Sequence, residues 1–173
     1  MSEPKESLQM NYRITRPVVM GVIPGQPLSV AKQAAELAYS LGVELLCAYV
    51  DITTYVVEED PNGHVATQPI DPDRFDDDIE RISAAIKERL ASVLTPYGIS
   101  WSYRCLAGDP ARALGRLAKT VDASMIVVGT RERGISHRLE ELLSGSVAVH
   151  LAHRQHKPVL VVPLNPRPLA GEE

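Results

Sequence analysis

Cysteine is scarce in this chain, long apolar runs are missing, and neither sign of charge dominates. Its two cysteines, Cys47 and Cys105, show neither metal-ligand spacing nor a Cys-x-x-Cys pair. Both sit in apolar, strand-like runs and are expected to be buried, inert thiols. No apolar run approaches the ~20 residues a membrane helix requires. The first sixteen residues scatter charges without an apolar centre, unlike a signal peptide, so the expectation is a cytoplasmic protein that meets no membrane. Lysine and arginine number 18 against 22 aspartate and glutamate, a formal net charge of −4. That balance lacks the basic excess on which nonspecific nucleic-acid binding depends. A P-loop is missing too. Gly129-x4-Gly134 is followed by Ile135-Ser136, with no lysine before the serine, and it follows the fourth expected strand rather than the first. No acidic cluster follows the first strand, which excludes a receiver-like domain. No Ser/His/Asp set can be placed together, and His137 beside Ser136 reads as loop surface. Catalysis is therefore not expected beyond, at most, slow hydrolysis of a bound nucleotide.

What is present is an alternation of strand and helix signals. At 173 residues, with 45% hydrophobic and 23% charged, the chain suits one domain with a real core. Residues 17–163 are expected to form it, with loosely held tails at 1–16 and 164–173. Pro17 to Ile23 is a nearly unbroken apolar run, as in a strand covered on both faces. Pro24-Gly25-Gln26-Pro27 breaks it, and Pro27 suits the first turn of a helix. Val30, Ala34, Leu37, Ala38 and Leu41 then recur at helical spacing, and Gly42 is a plausible stop. Val43 to Val50 reads as the second strand. Asp51 to Ile70 exceeds the usual connection length. Tyr55-Val56-Val57 and His64-Val65-Ala66 flank Pro61-Asn62-Gly63, a hairpin signal, and the segment is either a solvated insertion or a lid. Asp71-Pro72 opens a helix. Asp73, Asp76, Asp77 and Asp78 suit its positive end better than a metal site. Ile99 to Leu106 reads as a partly exposed edge strand with Trp101 and Tyr103 on one face, and Asp109-Pro110 restarts a helix. His150, His153 and His156 spread over an arc of about 120° on the last helix, a solvated face rather than a metal site.

The segment from Met125 to Pro163 is the most informative. Met125-Ile126-Val127-Val128 ends at Gly129, a polar loop follows, a helical pattern contains Ser144-Gly145-Ser146, and Val159-Leu160-Val161-Val162 closes. Strand, loop, helix and strand make a βαβ unit. Backbone N–H groups at Gly145 and Ser146, near a helix start, suit an anion such as a phosphate. Five strands and four helices in alternation imply an α/β fold with a doubly wound parallel sheet.

Gly129, Gly145, Ser146 and the ending His156-Lys157-Pro158-Val159-Leu160-Val161-Val162-Pro163 resemble the universal stress protein family, and a looser likeness extends over Pro17 to Pro163. The resemblance implies a Rossmann-like three-layer α/β/α fold, five parallel strands in the order 3-2-1-4-5, and a crevice between strands one and four. It further implies a regulatory, stress-related protein that binds ATP or another adenine nucleotide, with Mg2+ accompanying ATP. On that reading Val50 and Val128 lie against the base. Gly129, Thr130, Arg131, Gly134, Gly145, Ser146 and Val147 hold the rest of the ligand. A homodimer through Val159 to Val162 is also implied, as an unguarded apolar edge strand invites. Two positions differ from the family pattern: Ile23-Pro24 stands where the first strand would end in aspartate, and Glu132 stands where a second glycine would follow Gly129. They keep open an alternative, a dimeric interaction module with a degenerate pocket that does not bind ATP.

Overall fold

Strand β1 (Val18–Val22) is the centre of the fold in this computed structural model, which describes residues 15–60, 65–70, 76–130 and 147–164. Side chains on a strand alternate between faces, and β1 has a core on each. Val18, Met20 and Val22 point to one core and Val19 to the other, which is why the run is apolar without interruption. It pairs in parallel with β2 (Leu45–Asp51) from Val18↔Leu45 to Val22↔Tyr49. On its other side it pairs with β6 (Met125–Gly129), from Val18↔Met125 to Met20↔Val127. Outside these lie β5 (Trp101–Ala107), on β2, and β7 (Val159–Val162), on β6. The sheet order is β5-β2-β1-β6-β7. Counting only its own five strands along the chain, that is 3-2-1-4-5, the doubly wound order expected from the sequence.

Helices cover both faces. On one lie α1 (Leu28–Leu41) and α2 (Asp76–Leu94), packed through residues such as Val30, Ala34, Ala38, Ile86 and Leu94. On the other lie α3 (Pro110–Thr120) and α4 (Val147–Arg154), packed through Leu114, Leu117 and Leu151. Fully burying a side chain of this size contributes roughly 1.5–3 kcal/mol, so the two layers carry most of the stability.

Local chemistry sets the helix ends. Pro27 caps α1, one residue ahead of the first turn, and Gly42 ends it in the left-handed region at φ 66°, where a Cβ would be strained. A 3-10 turn at Thr95–Tyr97 prolongs α2 and stops at Gly98. Asp109 caps α3, accepting a hydrogen bond from the Arg112 N–H at 2.8 Å, with Pro110 in the first turn. The Asp71-Pro72 start expected for α2 lies outside the described residues.

Three expectations are refined. The interval from Asp51 to Ile70 contains two more strands, β3 (Thr54–Glu59) and β4 (Val65–Pro69), paired antiparallel as a separate hairpin; the turn signal at 61–63 falls between them. The cysteines part company: Cys47 is buried, but Cys105 is exposed. Cys105 lies on the edge strand β5, which has a strand neighbour on one side only, and alternation alone does not reveal that loss of cover. Trp101 and Tyr103 do pack against the α1/α2 core. The ends of the described domain are tied down. Arg16 pairs with Asp122 at 3.3 Å, and Leu164 donates its N–H to Thr130 Oγ1 at 2.8 Å. No helix among the described residues is long and apolar enough to cross a membrane.

Candidate functional site

The helix following β1 lies on one face of the sheet and the helix following β6 on the other, yet the two strands are neighbours. The chain leaving β1 leads to α1 on one face, and the described helix after β6 packs on the opposite face. In sheets of this kind the resulting crevice is where ligands bind.

Three adjacent strands form its floor on the α3/α4 side. Val50 ends the apolar run of β2, Val128 that of β6, and Gly21 lies between them on β1. Val50 and Val128 point to the same core. Both are largely covered by the protein itself, at 8% and 5% exposure. A Cβ on Gly21 would stand 3.0 Å from Leu114 Cδ1 and 3.3 Å from Val128 Cγ1, so the glycine lets α3 approach the sheet.

On the α1 side the central residue is Gly129. A Cβ there would meet Val30 Cγ2 at 3.0 Å, Gln26 Nε2 at 3.1 Å and Leu164 Cδ1 at 3.3 Å. Helix α1, the turn before it and the chain after β7 thus converge on one hydrogen-sized side chain. Gln26 is a residue that sequence reasoning passed over. Its carbonyl oxygen accepts from Arg89 Nη2 on α2 at 3.1 Å, and its N–H donates to the Ile23 oxygen at 3.2 Å. The Pro24-Gly25 turn is thereby closed, with Gly25 at φ 73°. Thr130 follows Gly129 and joins β6 to the end of β7. Its N–H donates to the Val162 oxygen at 2.8 Å, and its hydroxyl oxygen accepts from Leu164 N–H at 2.8 Å.

The mouth of the crevice is apolar at β1. Ile23, 41% exposed, stands at the end of the central strand. The neighbouring strand β2 does end in a carboxylate, Asp51, which is 2% exposed. Its Oδ1 accepts from Thr53 N–H at 3.0 Å and Thr53 Oγ1 at 2.6 Å, and its Oδ2 accepts from Thr54 Oγ1 at 2.6 Å. Charge-assisted bonds of this kind are strong and here anchor the start of the hairpin. The Asp-x-Thr-Thr order was the available signal, since aspartate and threonine bond to their own turns.

Of the expected site residues, Val50, Val128, Gly129, Thr130 and Val147 are brought to the carboxyl end of the sheet or, for Val147, to the first described turn of α4. Arg131, Gly134, Gly145 and Ser146 lie outside the described residues, as do Glu132 and His137. Of the three histidines expected on the last helix, His150 is half-buried and His153 exposed on α4, whereas His156 is exposed beyond its end at Arg154. Among the described residues no group of three or more His, Cys, Asp or Glu converges as a metal site.

Comparison with known proteins agrees with this architecture. The chain is 40% identical over 57 residues to the stress response protein NhaX of Bacillus subtilis, a match over 33% of this chain and 32% of that protein. It thus spans about a third of the length of that curated relative. Among solved structures, the universal stress protein from Archaeoglobus fulgidus in complex with dAMP superimposes with a TM-score of 0.60 at 22% identity, covering 86% of this chain and 98% of the other. A universal stress protein in complex with cAMP gives 0.57 at 24% identity, covering 87% and 98%. Likeness at that identity speaks for the fold. The model of the universal stress protein family matches residues 16–163, from the arginine that pins β1 to the proline that ends β7, and the chain therefore belongs to the universal stress protein family.

Proposed function

We propose that this protein binds an adenine nucleotide in the crevice between the carboxyl ends of β1 and β6, and acts as a cytoplasmic regulator in a stress response. The observation that carries the reading is the reversal of sheet winding between these two strands in a chain of this family. Two proteins of the same fold were solved with dAMP and cAMP, ligands that share an adenine nucleoside. On this reading the base lies over Ile23, Val50 and Val128. The backbone amides of Gly145 and Ser146 receive the phosphates, helped by Gly129, Thr130, Arg131, Gly134 and Val147. Oriented amides at a helix start bind anions without a net positive field, which suits a chain of net charge −4. A Mg2+ arriving with ATP would be held through the phosphates. The protein works as a homodimer through β7, whose Leu160 and Val161 are 42% and 41% exposed.

A second reading has its own support. Ile23-Pro24 supplies no carboxylate for a nucleoside, and Gln26, Val30 and Leu164 already crowd the α1 side of Gly129. On that reading the crevice is degenerate and the dimer is an interaction module.

Isothermal titration with ATP, AMP and cAMP separates the two. Nucleotide binding gives saturable heat, weakened about tenfold or more in Ser146→Ala, as loss of one charge-assisted donor would do. Ile23→Asp should tighten binding by restoring a carboxylate at the end of β1. Absence of saturation at millimolar nucleotide, with an unchanged melting temperature, rejects the nucleotide reading in favour of the module.

A further inference from the structure

A groove on the α3/α4 flank shares no residue with the crevice. It has a volume of about 900 Å³ and runs between strand β3, the outer side of α3 and the chain just after α4. That is at the upper end for small-molecule pockets and too long for a single inorganic ion.

Its charge is opposite to that of the chain. Helix α3 contributes Arg112, Arg116 and Lys119, and the end of α4 contributes Arg154 and Lys157, against only Glu58 and Asp109 among the lining residues. Lys157 is paired with Asp122. Arg112, Lys119 and Arg154 are exposed. Cations at the last turns of α3 and α4 stabilise those helix ends, so Lys119 and Arg154 alone would need no ligand. Arg112 is different. It sits in the first turn of α3, where the helix dipole disfavours a positive charge, and where acidic residues are absent.

The opposite wall says what shape of ligand fits. Tyr55, Val56, Val57 and Glu58 are consecutive, and all four line the groove. Successive strand residues face opposite ways, so four in a row run the backbone of β3, rather than one of its faces, along the groove. Among the described residues β3 is paired with β4 alone. Its pairing skips Val57, between Val56↔Thr67 and Glu58↔Ala66. An unpaired strand edge is a template for another extended chain. Spacing agrees. Arg112 and Arg116 are one helical turn apart, about 6 Å along α3, while alternate side chains on a strand are about 6.7 Å apart.

We propose that this groove binds an extended acidic polypeptide segment of a partner protein, added as a strand to the free edge of β3. Its alternate carboxylates face Arg112, Arg116 and Lys119 along α3, with Arg154 at the far end. Apolar side chains between the carboxylates pack on Tyr55 and Val57, which are 43% and 49% exposed. A single-stranded nucleic acid fits less well, because its backbone has no N–H to donate to a strand edge and Tyr55 is the one aromatic platform for stacking among the described lining residues.

Fluorescence anisotropy of the full chain with a labelled Glu-Val dodecapeptide in strict alternation tests the proposal at low and moderate salt. The expected result is saturable binding that weakens with salt and falls about tenfold in Arg112→Glu and again in Lys119→Glu, charge reversals at a charge-complementary interface. Lys32→Glu makes the same charge change on the far layer and should leave binding intact. A peptide N-methylated at alternate residues should lose at least tenfold, since it cannot donate to a strand edge. Melting temperatures within two or so degrees of wild type, expected for exposed positions, exclude misfolding as the cause. The proposal is overturned by no saturation at about millimolar peptide, by equal loss in Lys32→Glu, by full binding of the N-methylated peptide, or by tighter binding of oligothymidylate than of the peptide.

Discussion

Replacing Gly129 by alanine distinguishes a glycine kept for packing from one kept for a ligand. The added Cβ meets three atoms from three parts of the fold: Val30 Cγ2 at 3.0 Å, Gln26 Nε2 at 3.1 Å and Leu164 Cδ1 at 3.3 Å. Val30 is fully buried on α1, and a β-branched side chain in a helix has one strongly preferred rotamer, so it cannot swing aside. Gln26 meets the new Cβ only with the far end of its side chain, which can turn aside, so Val30 carries most of the cost. Overpacking a core by a methyl group under such constraint costs about 1–3 kcal/mol. In a domain of this size each kcal/mol lowers the melting temperature by roughly 2–4 °C, so Gly129→Ala should melt about 3–10 °C below wild type. Gly21→Ala is the internal contrast. Its tightest contact, 3.0 Å, is the far end of Leu114, which can rotate, and its loss should be under about 1 kcal/mol because alanine restricts the unfolded chain more than glycine does. Calorimetry on Gly129→Ala, Val30→Ala and the double variant completes the cycle. The double variant should be more stable than the sum of the single losses by at least about 1 kcal/mol, as for residues in direct contact. Additive losses, or an unchanged melting point in Gly129→Ala together with lost nucleotide binding, would refute the packing argument and assign the glycine to the ligand.

Other outcomes can be checked more simply. Burial pushes the Cys47 thiol up to about 12, and burial also raises Cys105 despite its exposed place on β5; a thiol reagent at pH 8 should therefore label one cysteine slowly in the native protein and two in urea, whereas rapid labelling of both would contradict the buried position of Cys47. Hydrogen bonds from Lys157 and then Arg16 hold the Asp122 carboxyl below its ordinary range. A depressed carboxyl stabilises the fold above its unfolded-state value and loses that contribution as pH falls through its folded value, so Asp122→Asn should flatten the acid limb of a urea-midpoint profile while leaving the neutral-to-alkaline limb parallel to wild type. An unaltered acid limb would show that the two cations do not act on Asp122. Leu160→Glu places a charge on the exposed side of β7 and should shift sedimentation from dimer to monomer while costing the monomer no more than about 1 kcal/mol of stability; a wild-type protein that sediments as a monomer throughout would remove β7 as the interface.

The sheet was legible because its signals are redundant. Each inner strand is an apolar run bounded by a breaker, and the Asp-Pro start at Asp109 and the stops at Gly42 and Gly98 fix where helices begin and end. The Pro-Asn-Gly signal at 61–63 suggested a hairpin, but the pairing of β3 with β4, which is irregular at Val57, was not legible from it. The exposure of Cys105 was not legible for a different reason. Alternation gives a face, whereas exposure depends on whether a neighbour stands beside the strand, and β5 has one on a single side. The crevice followed from the strand order that the family resemblance implied, yet Gln26 was missed because a glutamine in a Pro-Gly-x-Pro turn looks like any solvated loop residue. Only the approach of α1 to Gly129 gives it a position.

The cationic groove shows the same limit from the side of charge. Net charge is a sum along the chain. A binding surface sums across it. Arg112 and Arg154 are far apart in sequence, but α3 and α4 lie side by side on one face, and Gly115 touches Gln155 closely enough that a Cβ there would stand 3.4 Å from its Cβ. Packing of those two helices brings cations together in a molecule of net charge −4. The hairpin that leaves β2 then supplies the second wall, because Asp51 anchors its first turn to the end of the sheet and Val56 comes to rest on Gly108, 3.4 Å from where its Cβ would be. The buried carboxylate at the end of β2 thus has a structural effect beyond its own turn. It holds the turn from which β3 departs along the groove that α3 also lines.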